Sequence, residues 1–115
     1  MSAIERDHHF ADGVFVKAIT VEAGALVPQH AHAYDHTSFL AAGEVMAWCD
    51  GDYLGRIKAP RGVLIKAGKR HSFLTVEPSV LLCIHNLHGD AAVKVLDEHE
   101  FTPGEVAELL SQVVI

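Results

Sequence analysis

Nine of the 115 residues are histidine, and three of them, His30, His32 and His36, fall in one short stretch. In an extended chain, residues two apart project to the same side. These three imidazoles therefore share a face, provided that Ala33-Tyr34-Asp35 does not bulge. His71 follows Ala67-Gly68-Lys69-Arg70 and stands at the start of another strand-like segment. From there it can face the first three across a barrel interior. Neutral imidazole is the commonest protein metal ligand. All-nitrogen ligation suits one divalent transition metal (Fe, Ni, Cu, Zn or Co) and disfavours Mg and Ca. Four ligands in a tetrahedron make a closed, structural zinc site. The same four in one hemisphere of an octahedron leave positions open, and such a metal polarises a carbonyl or enolate or activates dioxygen.

The elements that must position these residues read as short strands separated by turn signals. Asp12-Gly13 opens an alternating run from Val14 to Val21, which Glu22-Ala23-Gly24 ends. A segment over about 26–33 contains Pro28, which places it at an edge or at a strand start. Thr37 to Ala41, Glu44 to Cys49, Tyr53 to Ala59, Val63 to Lys66 and His71 to Val76 are the next strands. Asp50-Gly51-Asp52 is a strong hairpin signal. Val80 to Asn86 is the most apolar segment and is expected to be buried on both faces. A helix is expected over about 103–113, with Thr102 as N-cap, Pro103 first and Glu105 completing a capping box. The pattern predicts an all-β sandwich or barrel of about seven to ten strands with one terminal helix, in a single domain over 1–115.

Composition narrows the functions. Net charge is −6 and the nine Lys and Arg are scattered, with Lys66, Lys69 and Arg70 as the densest group. A nucleic-acid partner needs a denser positive footprint. No apolar run approaches the roughly 18 residues of a membrane span. The first ten residues lack the apolar core of a secretory signal, so the expected compartment is the cytoplasm. Cys49 and Cys83 sit in apolar segments and are expected to be buried reduced thiols.

Gly24-x5-His30-x-His32-x3-His36-x6-Gly43 resembles the first conserved motif of the cupin superfamily. That motif reads Gly, five residues, His-x-His, three or four residues, Glu, six residues, Gly, and here His36 stands at the glutamate. Lys66-Ala67-Gly68-Lys69-Arg70-His71 resembles the end of the second motif, Pro-x-Gly, two residues, His, three residues, Asn. Lys66 replaces its proline, Thr75 stands at its asparagine, and Pro60 stands at its leading glycine. The resemblance spans 24–75, and the strand to Asn86 fits the one that follows, giving a motif-bearing core of about 24–86. It implies a jelly-roll barrel (a double-stranded β-helix) with His30, His32, His36 and His71 as ligands of a metal with open positions.

The resemblance also implies a metal-dependent small-molecule enzyme, with dioxygenase-like chemistry on an oxygen-donor substrate. The alternatives are a non-catalytic module that binds or senses a metal or metabolite, and a structural protein with a zinc clamp. The glutamate that serves some relatives as a base is absent, and no residue is assigned to that role. Tyr34 shares the parity of the ligands, and Glu44 is expected to face solvent. Lys69 and Arg70 could meet an anionic substrate, although a solvated turn is the plainer reading. His85 lies in an apolar strand, so it needs a partner or a polar cavity and is a candidate support for a ligand. His8 and His9 are expected in a frayed terminus, His88 in a turn and His99 in a solvated acidic stretch. Cupins pair through edge strands, and the Val14 to Val21 run is the expected edge of a homodimer.

Overall fold

Alternation and turn chemistry set most of the strands. The computed structural model describes residues 4–11, 13–28, 31, 34–86 and 102–104. Among these, nine strands follow in order: β1 (Ile4–Ala11), β2 (Val14–Val21), β3 (Leu26–Pro28), β4 (His36–Ala42), β5 (Glu44–Cys49), β6 (Asp52–Lys58), β7 (Arg61–Ile65), β8 (His71–Thr75) and β9 (Ser79–Asn86). They form a five-stranded sheet, β1-β2-β9-β4-β7, and a four-stranded sheet, β3-β8-β5-β6. Every pairing is antiparallel. This is the jelly roll expected from the resemblance.

The β5–β6 hairpin shows how local chemistry acts. Asp50 and Gly51 have φ of 49° and 89°, the left-handed pair that a two-residue turn of matching twist requires. Cys49 then faces Asp52 across the turn. Pro28 is the last described residue of β3, which pairs with β8 among the described strands.

Strand parity builds the core. Ile19, Leu40, Leu81 and Cys83 from the larger sheet pack against Val27, Val45, Ala47 and Phe73 from the smaller one. Each large apolar side chain buried here contributes about 1.5–3 kcal/mol. Thr75 ties the β2–β3 turn to β8: its hydroxyl donates to the Glu22 carbonyl at 2.6 Å and accepts from the Ala25 N–H at 3.0 Å. The β4–β5 turn is held as tightly. Gly43 has φ of 91°, and a Cβ there would lie 2.5 Å from the Pro78 carbonyl oxygen.

Three expectations change. The segment read as a frayed terminus is strand β1, paired with β2 along its length. Consequently Val14 to Val21 is an interior strand, flanked by β1 and β9, and not a free edge. Strand β9 is also not buried on both faces. Leu81, Cys83 and His85 are buried inward, whereas Val80, Leu82 and Ile84 are only half-buried. Pro103 and Gly104 are helical and exposed. The rest of the helix expected over 103–113 lies outside the described residues.

Candidate metal and ligand site

His36 opens β4 and shares its inward face with Ser38 and Leu40; the three are 5%, 0% and 1% exposed. The register places Thr37 opposite Ile84 and Ser38 opposite Cys83, which brings His36 level with His85. Phe15 lies opposite His85 and Phe10 opposite Phe15, while Ile65 lies opposite His36. Phe10, Phe15, His85, His36 and Ile65 thus form one buried row across all five strands. Ring centroids along it are 5.2 Å (Phe10–Phe15), 5.2 Å (Phe15–His85) and 4.8 Å (His85–His36) apart, each pair stacked. The Tyr34 hydroxyl meets His85 Nδ1 at 3.1 Å. His85 therefore has the partner that its apolar strand demanded, and that partner also stands edge-on to His36, 6.2 Å away.

His71 opens β8 on the opposite sheet, facing inward with Phe73 and Thr75. Two carboxylates hold the loop that delivers it. Asp35 accepts the Ala67 N–H at 2.7 Å and the Lys66 ammonium at 3.0 Å. Asp50 accepts the Arg70 N–H at 2.9 Å, and its own N–H donates to the Arg70 carbonyl at 2.7 Å. Lys69 lies 3.7 Å from the Asp50 carboxylate. The Ala67 N–H, then Lys66, hold the Asp35 carboxyl below the usual carboxylate range. The Arg70 N–H, then Lys69, do the same for Asp50. A backbone donor aimed at a carboxylate stabilises its ionised form, so both acids clamp the loop as anions.

His71 is 7% exposed, and its Nδ1 is buried with no hydrogen-bond partner among the described residues. Leaving such an atom unmet costs about 1–3 kcal/mol, which a metal ion or a ligand atom would offset. An open pocket of about 510 Å³ adjoins it, lined by Pro28, Ala31, Asp50, Gly68, Arg70 and His71 among others.

His36 and His71 are thus both buried on inward faces, from opposite sheets. His30 and His32 lie outside the described residues. Their chain neighbour Ala31 lines the pocket beside His71. Among the described residues no group of three or more His, Cys, Asp or Glu could hold a metal ion together.

Other candidates sort by their contacts. Glu44 pairs with Arg56. Cys83 is buried as expected, whereas Cys49 is only half-buried, and neither forms a disulfide; the Ser38 hydroxyl donates to Cys83 Sγ at 3.7 Å. Phe73 is core, while Phe39, Trp48 and Leu82 are half-buried. His8 stands edge-on to Phe15 at 5.1 Å, and His9 is exposed. His88 and His99 lie outside the described residues. No helix among the described residues is long and apolar enough to cross a membrane.

No protein-family model matches the sequence, and no curated protein matches it significantly. Solved structures do. KdgF from Halomonas sp. superposes with a TM-score of 0.64 at 15% identity, over 80% of this chain and 87% of that one. The Cupin_2 domain of an XRE family transcriptional regulator from Enterobacter cloacae gives 0.61 at 19% identity, over 72% and 95%. The DMSP lyase DddQ from Ruegeria pomeroyi gives 0.64 at 20% identity, over 76% of this chain and 48% of that one. The fold is that of the cupins.

Proposed function

We propose that this cupin-fold barrel holds one divalent transition metal through His30, His32, His36 and His71 and acts on a small molecule in the adjoining pocket. The observation that carries the reading is the His71 imidazole. It is buried, its Nδ1 lacks a described partner, and it borders a pocket open to solvent. His36 fits as a second donor from the facing sheet. Ala31, the residue between His30 and His32, lines the same pocket. Four neutral imidazoles favour Fe, Ni, Cu, Zn or Co. Such an ion supplies Lewis acidity toward an oxygen-donor substrate and, if redox-active, dioxygenase-like chemistry.

The chain's own residues do the rest. Asp35 and Asp50 hold the loop that presents His71. Tyr34 and His85 pack against His36 and limit its movement. Pro28 and Gly68 line the pocket beside His71. The proposed setting is cytoplasmic and homodimeric. Because β2 is paired on both sides, the dimer contact falls to another strand; β1, β3, β6 and β7 are the sheet edges among the described residues.

Tag-free protein purified without chelators is expected to carry about one ion per chain, and His71→Ala to lose most of it. Metal-free wild-type protein would overturn the proposal. A second reading, a sensing module without turnover, is favoured by the likeness to a regulator's domain that this chain covers almost entirely. Oxygen uptake by iron-, copper- and nickel-loaded protein, offered diketones, catechols and thiols, separates the two. Turnover supports the enzyme, and its absence with every loading supports the module.

A further inference from the structure

The loop before His71 carries three cations, and they differ in what they meet. Lys66 lies 3.0 Å from Asp35 and Lys69 3.7 Å from Asp50. Arg70 forms no ion pair with any described residue, yet it lines the pocket beside His71. Its backbone is also the most constrained of the three, bonded to Asp50 through both its N–H and its carbonyl. A guanidinium on a fixed backbone loses less freedom on binding than one on a mobile loop. Its planar fork also matches a carboxylate with two parallel hydrogen bonds.

We infer that Arg70 is the substrate-recognition residue of this pocket and that the ligand is a small carboxylate. The inference deepens the metal-site reading and rests on it for the second anchor. The carboxylate docks on Arg70, at the residue next to His71, and this orients the rest of the molecule toward the buried imidazoles. Asp50 lines the same pocket, but its charge is committed to Lys69 and to the Arg70 N–H. Arg70 is therefore left as the cation available to an incoming anion among the described pocket residues.

The test uses the full chain, zinc-loaded and metal-free, with acetate, glycolate, pyruvate and lactate as probes. Each is compared with its methyl ester. Binding is followed through the amide resonances of Gly68, Arg70 and Ser72, and zinc content is measured in parallel. At least one acid is expected to bind about tenfold or more tightly than its ester, the scale of one charge-assisted pair. Arg70→Gln is expected to abolish that preference with zinc content unchanged, Arg70→Lys to restore part of it, and Lys58→Gln, exposed on β6 away from the pocket, to leave it intact. Equal binding of acids and esters, or of one acid to wild type and Arg70→Gln, would overturn the inference while leaving the metal reading standing. If wild-type protein fails to retain added zinc yet binds the acids through Arg70, the carboxylate assignment stands and the metal reading is overturned.

Discussion

The imidazole of His85 lies on that of His36, with ring centroids 4.8 Å apart and planes inclined by 28°. One face of a candidate ligand is thereby covered by a side chain whose own orientation is fixed by Tyr34. A ligand held in this way need not be ordered when its ion arrives, which is how residues behind a metal site raise its affinity.

Tyr34→Phe keeps the ring and removes the hydroxyl that meets His85. The buried Nδ1 loses that partner, at a cost of about 1–3 kcal/mol in urea unfolding. Zinc affinity is expected to fall, by less than the about ten- to a hundredfold lost with a direct hydrogen-bond partner of a metal-binding histidine, because Tyr34 acts on His36 through His85. Unchanged affinity in a folded Tyr34→Phe protein would show that the Tyr34–His85 pair does not support His36.

The Asp50 carboxyl is held below its ordinary range by the Arg70 N–H and then by Lys69. A depressed carboxylate stabilises the fold above its unfolded value of about 3.9, and that contribution disappears as pH falls through the lower folded value. Asp50→Asn is therefore expected to unfold at lower urea than wild type at pH 7. The gap should begin to close below about pH 5 and be smallest near pH 2. A gap that stays constant across this range would contradict a charge-dependent clamp.

Gly43 answers to two constraints at once, a φ of 91° and the approach of the Pro78 carbonyl to 2.5 Å from where a Cβ would sit. Gly43→Ala is expected to cost at least about 1–3 kcal/mol from the backbone alone, read as a lowered denaturation midpoint. Near-wild-type stability would mean that the β4–β5 turn relaxes freely.

What the sequence made legible was local. The run from Val14 to Val21 and that from Glu44 to Cys49 are the observed β2 and β5, because alternation and flanking turn residues are properties of neighbours. Asp50-Gly51 forms the turn that its side chains favour. Long-range pairing was not legible. Strand β1 carries Glu5, Arg6, Asp7 and His9 and buries little besides Phe10, so nothing local marks it as a strand. Alternation likewise says which face of β2 is buried but not how many strands flank it. His85 announced a need for a partner, but Tyr34 lies 51 residues away in the chain, and only the fold joins them. The motif spacing singled out His36 and His71, and both prove to be buried inward-facing side chains.

The row from Phe10 to Ile65 crosses every strand of the larger sheet, so it works as a ruler. Sliding β9 by one residue against β4 would bring Ile84 or Asn86 level with His36 and turn His85 to the outside. The same slip would expose Leu81 and Cys83, which belong to the core. A chain that has buried its apolar residues has therefore already aligned its imidazoles. Folding and readiness to bind become one event, because a pocket misassembled by one residue would turn its own core to solvent.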